Sequence, residues 1–213
     1  MKKKLIIIGA GGCGREVAQI ATDIQRTNTT DWELYGFIDD NPNALDNVDC
    51  NVSLLGNIQE WVPKEDELFI CAIGNPTLRE KLTVILEEKG ANFTSLIHPT
   101  VIIASSARYE PGLVVYPFTS ISVNTNIGKH VLINMHNAVG HDACIGSYSV
   151  LSSFCDITGH VHIGKKVFLG SHVSVAPGLK IGDNANVGLG SVVVSSIKEG
   201  KHVFGNPARM LKL

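Results

Sequence analysis

The sequence lacks a strong charge imbalance, any paired-cysteine pattern and any apolar run of membrane length. Twenty acidic and eighteen basic residues among 213 give a formal net charge of −2, so the chain offers no basic field for nucleic acid. Its five cysteines are odd in number, widely spaced and without a CxxC motif, which argues against disulfides and a thiolate zinc site. The apolar run Leu5 to Ile8 stops at Gly9, and no signal peptide is expected. We therefore expect a cytoplasmic protein that contacts neither nucleic acid nor membrane.

An aliphatic residue returns at every sixth position from Ile97 to Val193. Sixteen of these seventeen positions are Ile, Leu or Val, and the exception is Tyr109. A helix repeats near 3.6 residues and a strand near 2, so a strict period of six predicts a supersecondary repeat. Three such repeats would make one triangular coil, with coils stacked about 4.8 Å apart. Seven repeats carry glycine directly after the aliphatic residue, where we expect the chain to turn a corner. The pattern resembles the hexapeptide-repeat left-handed parallel β-helix.

The residues before the repeat predict a small α/β unit. A buried strand, Lys3 to Ile8, runs directly into Gly9 to Gly14, which matches GxGxxG, and a helix follows. Later strands end at Asp39-Asp40 and at Gly74, and a fourth, Asn92 to Leu96, leads into the repeat. Alternating strands and helices imply a parallel sheet whose ligand site lies at the carboxyl ends of the strands.

The glycine-rich turn and Asp39 also fit a nicotinamide-dependent enzyme, because a dinucleotide fold places an acid near this position to bind a ribose. A complete dinucleotide fold needs two mononucleotide halves, and this block has room for little more than one. We therefore predict two domains. Residues 1–96 would form a Rossmann-like α/β domain, and residues 97–213 would form an all-β left-handed β-helix with a C-terminal cap.

Polar residues concentrate in the middle coils of the predicted β-helix. His141 is the third residue of its repeat, at a corner and facing away from the aliphatic core, and Asp142 can fix its tautomer. Gly159 lies eighteen residues later in the same column, so its bare N–H would stack beside the imidazole. A base next to a backbone donor is the minimum apparatus for acyl transfer.

Zinc-dependent hydration is an alternative, because γ-type carbonic anhydrases use the same fold with three histidines on zinc. His136 and His141 have a suitable spacing for two of these ligands, but Thr100 stands where the third is needed. His136 and His172 lie two coils apart, about 10 Å, which is too far to share one metal. We predict no metal. A non-catalytic β-helix scaffold is a further alternative.

The whole chain resembles bacterial sugar acetyltransferases of the PglD/NeuD type. The resemblance rests on Ile8 to Gly14, Phe37 to Asp40, Ala72 to Asn75 with Arg79, Leu96 to Pro99, Gly140 to Gly146, and Gly205 to Arg209. This resemblance implies a homotrimer with acetyl-CoA in the groove between neighbouring β-helices. Two departures are Val150 and Cys13, where histidine is common in the family.

The resemblance also implies roles for individual residues. His141 matches the general base, Asp142 its acidic partner and Gly159 the backbone oxyanion donor, while Ser171 and Leu189 match positions that line the coenzyme groove. The sugar would be held near Gly11, Gly12, Cys13, Asp39, Asp40 and Gly74.

We therefore predict an acetyl-CoA-dependent sugar acetyltransferase. The expected reaction is N-acetylation of a nucleotide-linked 4-amino sugar for glycan or surface polysaccharide synthesis, by direct attack with His141 as general base. O-acetylation of a sugar or sialic acid is the alternative. An acyl-enzyme route through Cys144 or Cys155 is not expected, because neither has a histidine within obvious reach.

Overall fold

The computed structural model describes residues 2–211. Its first part is a parallel four-stranded sheet of order β3-β2-β1-β4. The elements are β1 (Lys3–Ile8), α1 (Gly12–Gln25), β2 (Trp32–Ile38), β3 (Leu54–Gly56), β4 (Glu67–Cys71) and α2 (Pro76–Glu88). Leu5 to Ile8 of the central strand β1 are fully buried, as expected where both faces of a parallel sheet are covered. Ile6 and Ile8 pack towards α2, whereas Leu5 and Ile7 pack towards α1.

Two details of the sheet differ from the prediction. The short strand β3 was not expected; it forms because the Phe37 N–H donates to the Ser53 carbonyl and the Asp39 N–H donates to the Gly56 carbonyl. The strand expected over Asn92 to Leu96 was wrong, since Phe93 makes only a single bridge to Phe69 and Leu96 already pairs with the repeat.

The second part is the predicted β-helix, a left-handed parallel β-solenoid. Its strands are β5 (Leu96–Ile97), β6 (Ile102–Ile103), β7 (Arg108–Tyr109), β8 (Val114–Val115), β9 (Ser120–Ile121), β10 (Asn126–Ile127), β11 (Leu132–Ile133), β12 (Ala138–Val139), β13 (Cys144–Ile145), β14 (Val150–Leu151), β15 (Asp156–Ile157), β16 (His162–Ile163), β17 (Phe168–Leu169), β18 (Ser174–Val175), β19 (Lys180–Ile181), β20 (Asn186–Val187), β21 (Val192–Val193), β22 (His202–Phe204) and β23 (Arg209–Met210). Each strand from β5 to β18 pairs with the strand eighteen residues on, as Ile127 does with Ile145 and Ile145 with Ile163. The aliphatic column of the sequence repeat forms the buried interior.

The solenoid has three sheets and therefore three corners. Sheet I contains β5, β8, β11, β14, β17, β20, β22 and β23; sheet II contains β6, β9, β12, β15, β18 and β21; sheet III contains β7, β10, β13, β16 and β19. The corner between sheets I and II carries Phe118, His136, Phe154 and His172, and we call it the aromatic corner. The corner between sheets II and III carries Asn124, Asp142 and His160 and is called the His141 corner. The corner between sheets III and I carries His130, Tyr148 and Lys166 and is called the docking corner.

Each of these corner residues has a left-handed backbone, with φ between 55° and 65°. The glycines that follow the inward aliphatic residue are not the left-handed positions. They stand where the sequence predicted a residue without Cβ, and the reason is close stacking of the coils. They allow coils to stack closely, because a Cβ on Gly146 would lie 2.5 Å from the carbonyl carbon of Gly164.

The first part of the molecule packs on sheet I and on the docking corner. Val114, Leu132 and Val150 of sheet I share an apolar core with Leu5 and Ile7 of β1. The core thus continues from one part into the other, and the domain division at residue 96 stays a prediction.

Ion pairs and a buried arginine join α2 to the docking corner. Lys166 pairs with Glu80 at 2.8 Å and Lys129 with Glu87 at 2.9 Å. The fully buried Arg79 of α2 donates from Nε to the His130 carbonyl at 2.6 Å and from Nη1 to the Ile73 carbonyl at 2.9 Å. Arg79 Nη2 has no hydrogen-bond partner among residues 2–211. The bond to the His130 carbonyl links α2 to the solenoid, and it partly offsets the cost of burying the guanidinium.

The chain closes the solenoid with a short hairpin. β22 continues sheet I, and β23 returns antiparallel to it, pairing Val203 with Met210. Val203 and Ala208 pack against the interior column, as a cap would. Lys212 and Leu213 of the predicted domain lie outside the described residues. Over residues 2–211, neither helix has the length and apolar character needed to cross a membrane.

Candidate active site

His141 and Asp142 form a hydrogen-bonded pair at the His141 corner. The His141 Nδ1 lies 2.8 Å from Asp142 Oδ2, and the Asn124 amide donates to Asp142 Oδ1 at 3.1 Å. The bond at Nδ1 orients the ring and leaves Nε2 as the nitrogen that can accept a proton. The imidazole is 55% exposed, so a substrate can reach it.

Asp142 is suited to the role of a charged orienting group. The hydrogen bond from His141, together with the bond from Asn124, lowers the pKa of the Asp142 carboxyl below its ordinary value. The left-handed backbone at Asp142 points this carboxylate at its own neighbour in the sequence, a conformation that Asp tolerates better than most residues. The carboxylate is therefore ionised at neutral pH and stabilises an imidazolium beside it.

Gly159 lies directly against the His141 ring, as the eighteen-residue stacking predicts. A Cβ on Gly159 would lie 2.5 Å from His141 Nε2, so no other residue type fits without moving the ring. Within residues 2–211, the Gly159 N–H donates to no protein acceptor. Gly140 makes the approach possible, because a Cβ there would lie 2.7 Å from the Gly159 nitrogen.

His160 also belongs to this group, and its part in the site was not predicted. Its ring meets His141 edge-on, with centroids 5.0 Å apart, and its Nε2 lies 3.9 Å from Asp142 Oδ2. The signal was present in the sequence, because residue 160 stacks eighteen residues after residue 142. His141, Asp142 and His160 hold ligand-type atoms within 4.8 Å of one another. That no metal takes part stays a prediction.

The zinc alternative takes His136 and His141 as two of its three ligands. The structure places His136 at the aromatic corner, stacked between Phe118 and Phe154 at centroid distances of 5.1 and 4.8 Å. His136 and His141 therefore belong to different corners of the triangle. His172 stacks on Phe154 in the same aromatic column.

The predicted sugar-binding residues gather at one edge of the first sheet. Gly11 and Gly74 face open space, since a Cβ on either would meet no atom within 4 Å. The two carboxylates are already hydrogen-bonded to main chain: Asp39 accepts from Ala10 N–H at 2.8 Å, and Asp40 accepts from Ile58 N–H at 2.9 Å. These bonds shape the loops around the edge. Gly12 lies beside Gly11 at the start of α1.

Cys13 takes part in a contact that sequence reasoning missed. Its thiol lies 3.6 Å from the Tyr116 hydroxyl of the solenoid, which in turn donates to Glu16 at 3.2 Å. Burial raises the pKa of both the Cys13 thiol and the Tyr116 phenol above their ordinary values. Cys13 is thus a neutral thiol at the junction of the sheet and the solenoid. No sequence spacing links residue 13 to residue 116.

The predicted coenzyme residues lie at a different corner from His141. Ser171 and Leu189 stack in one column, joined by the Gly190 N–H to the Ser171 carbonyl at 2.8 Å, next to His172 of the aromatic corner. Leu189 is 69% exposed. Within one chain, Ser171 and Leu189 therefore do not lie near His141. Val150 is buried under the first sheet, where a coenzyme could not touch it.

Comparisons with known proteins point to one family. Residues 4–86 match the family described as the PglD N-terminal domain. The chain is 30% identical over 205 residues to GDP-perosamine N-acetyltransferase of Escherichia coli O157:H7, covering 93% of this chain and 81% of that protein.

Two solved structures cover almost the whole chain. The acetyltransferase domain of PglB from Neisseria gonorrhoeae FA1090 superposes with a TM-score of 0.90 at 26% identity, covering 99% of this chain and 100% of that one. PerB from Caulobacter crescentus, in complex with CoA and GDP-perosamine, superposes with a TM-score of 0.88 at 26% identity, covering 98% and 97%. The chain therefore belongs to the PglD/NeuD-type sugar acetyltransferases of the hexapeptide-repeat acyltransferase family.

Proposed function

We propose that the protein transfers the acetyl group of acetyl-CoA to the amine of a nucleotide-linked 4-amino sugar. One observation carries the chemistry: an exposed imidazole, oriented by an ionised carboxylate, lies against Gly159, whose backbone N–H has no acceptor within residues 2–211. The substrate class is supported by the relative that acetylates GDP-perosamine and by the complex with CoA and GDP-perosamine. Such a reaction fits glycan or surface polysaccharide synthesis in the cytoplasm.

In the proposed mechanism the sugar amine attacks the thioester carbonyl carbon. His141 Nε2 removes the proton from the amine as the N–C bond forms, and Asp142 stabilises the resulting imidazolium. The negative charge on the carbonyl oxygen is met by the Gly159 N–H, a donor worth about 3 kcal/mol in comparable sites. The C–S bond then breaks, and the coenzyme thiolate takes the proton from His141. The sugar leaves as an acetamide and the coenzyme as a free thiol.

The assembly we propose is a homotrimer with its sites between neighbouring chains. The predicted sugar-binding edge belongs to a unit that covers sheet I and the docking corner, whereas His141 lies at the corner opposite sheet I. Ser171 and Leu189 lie at the third, aromatic corner. A groove formed by the His141 corner of one chain and the aromatic corner of the next would bring base and coenzyme residues together. This separation of parts supports the trimer.

Within this proposal, residues 1–96 act as a Rossmann-like sugar-binding domain. Gly11, Gly12, Cys13, Asp39, Asp40 and Gly74 lie at the carboxyl ends of its strands, where open α/β sheets bind ligands. Gly11 and Gly74 leave room for a ligand, while Asp39 and Asp40 hold the surrounding loops. The residues 97–213 supply the catalytic and coenzyme surfaces.

The test is release of coenzyme thiol from acetyl-CoA with a panel of nucleotide-linked 4-amino sugars, matched hydroxyl sugars and sialic acid. We expect turnover with an amino sugar, and a loss of about 10² to 10⁴ in rate for His141→Asn. His162→Asn, on the outer surface of β16, is the matched control and should keep the wild-type rate. Turnover confined to hydroxyl sugars would reverse the choice of N- over O-acetylation. Light scattering should give about three times the chain mass of 22.9 kDa.

A further inference from the structure

Successive coils of the solenoid are joined by a regular main-chain hydrogen bond. The N–H of the residue after each inward aliphatic residue donates to the carbonyl of the inward residue one coil on. In the column beside the His141 corner, Ser122 donates to Val139 at 2.9 Å and Gly140 donates to Ile157 at 2.6 Å. Every sixth residue from His98 to Ala176 follows this rule, with one exception. The exception is therefore a local feature of the sequence and not of the fold.

The exception is Thr158, the residue before Gly159. Its hydroxyl donates to the Val175 carbonyl at 2.6 Å, the acceptor that the Thr158 N–H would otherwise use. As a result, neither the Thr158 N–H nor the Gly159 N–H donates to a protein acceptor within residues 2–211. Two consecutive residues, Thr158 and Gly159, thus have unpaired N–H groups within residues 2–211, and Gly159 lies against the His141 ring. A β-branched side chain with a restricted χ1 is well suited to holding this hydroxyl in place.

We propose that Thr158 is a positioning residue for acyl transfer. Its hydroxyl occupies the Val175 carbonyl and keeps the Thr158 N–H out of the ladder, so that the two successive peptides ending at Thr158 and Gly159 can present their N–H groups to the thioester oxygen. Adjacent backbone N–H groups form a concavity that favours negative charge, and donors fixed in advance need no reorganisation during reaction. The inference rests on the proposed acetyl transfer and adds the group that shapes its oxyanion site.

Main-chain groups in a solenoid have a strong tendency to pair, since an unpaired buried N–H costs free energy. Without the hydroxyl, the nearest acceptor for the Thr158 N–H is the Val175 carbonyl, and the rung would close as it does at Ser122 and Ala176. The peptide before Thr158 would then turn towards the next coil and shift the peptide that follows it. Gly159 would stay in place, but its N–H would no longer point towards the thioester oxygen. The effect should appear in the rate of the chemical step more than in coenzyme binding.

The test compares Thr158→Val, which keeps the shape and removes the hydroxyl, with Thr158→Ser, which keeps the hydroxyl. We expect Thr158→Val to lower kcat roughly 10- to 100-fold, because removing a whole oxyanion donor costs 10² to 10³. The KM for acetyl-CoA should change less than about 3-fold, and Thr158→Ser should restore most of kcat. Hydrogen exchange supplies a second readout: the amide of residue 158 should exchange more slowly in Thr158→Val than in the wild type, as the rung closes.

Ser152→Val is the matched control. Ser152 holds the equivalent position beside the aromatic corner, its N–H already donates to the Leu169 carbonyl at 2.9 Å, and no change in kcat or exchange is expected. Thr158→Ala repeats the loss of hydroxyl should the valine variant fold poorly. Equal kcat in wild type, Thr158→Val and Thr158→Ala, with His141→Asn still inactive, would overturn this inference alone. An active His141→Asn would instead overturn the proposed function.

Discussion

Two histidine–carboxylate pairs of similar geometry lie at different corners of this solenoid. At the docking corner His130 Nε2 lies 3.0 Å from Glu87, and at the His141 corner His141 Nδ1 lies 2.8 Å from Asp142. The side chain of His130 is 1% exposed, whereas that of His141 is 55% exposed. Under the proposed function, this difference indicates that the pair alone does not make a catalytic site. Access to the second ring nitrogen and a free backbone donor beside it are also needed.

The surroundings of His130 suit a structural role. Its ring contacts Phe93 edge-on at 4.5 Å and stacks on Tyr148 at 5.6 Å. Burial lowers the pKa of His130 even though Glu87 opposes this effect. Burial alone would raise the pKa of Glu87, but hydrogen bonds from His130 and Lys129 lower it. The neutral imidazole therefore joins α2 to the solenoid, while the exposed pair is free for chemistry.

The largest expected effect on activity comes from adding a methyl group at Gly159, in the space beside His141. In Gly159→Ala the new methyl would lie 2.5 Å from Nε2 of His141, so the ring must leave its position and the N–H loses its alignment with it. We expect kcat to fall about 10² to 10³, as for loss of one oxyanion donor. Steady-state thiol release measures the effect.

The same substitution should leave folding intact, because residue 159 is at an outer corner. The urea midpoint of Gly159→Ala should stay close to that of the wild type. An alanine variant with wild-type kcat would show that neither the ring position nor this donor limits the reaction.

The sequence predicted the His141 corner better than the docking corner, for a physical reason. The period of six fixes which residues stack eighteen apart, and this rule alone brought Gly159 to His141. The His130–Glu87 pair depends on how α2 lies against sheets III and I, and no periodicity connects a helix to a solenoid corner. The role proposed for Thr158 was not predicted for another reason. The sequence shows a hydroxyl there, but Ser122 also has one and its N–H still makes the regular hydrogen bond to the next coil.

Removing the buried histidine should affect stability and not chemistry. His130→Ala leaves a cavity between Phe93 and Tyr148 and deprives Glu87 of a hydrogen bond, with an expected cost of about 2–3 kcal/mol in the free energy of unfolding. His141→Ala removes an exposed ring and should cost less than about 0.5 kcal/mol. Urea unfolding measures both values. If the two variants lost equal stability, the contrast between a buried and an exposed pair would fail.

The smallest expected effect is a pH dependence of stability that arises from the buried His130–Glu87 pair. Because the folded-state pKa of His130 lies below its unfolded value, acidification protonates the unfolded chain first. The contribution of His130 is therefore complete above the unfolded pKa of about 6.5 and is lost as the pH falls towards the folded value, by at most about 1.4 kcal/mol per pH unit. The groups that face the ring are Glu87, Lys129, Arg79 and Tyr148.

The measurement is the free energy of unfolding of wild type and His130→Asn between about pH 7.5 and 5. The asparagine variant cannot take up this proton, so the difference in free energy of unfolding between wild type and His130→Asn should become smaller as the pH falls. The His162→Asn variant should follow the wild type throughout. A constant gap would mean that His130 binds its proton equally in both states, and that burial at the docking corner does not govern its charge. A gap that widens in acid would assign the ring to a charged pair with Glu87, since a raised folded pKa adds stability below the unfolded value.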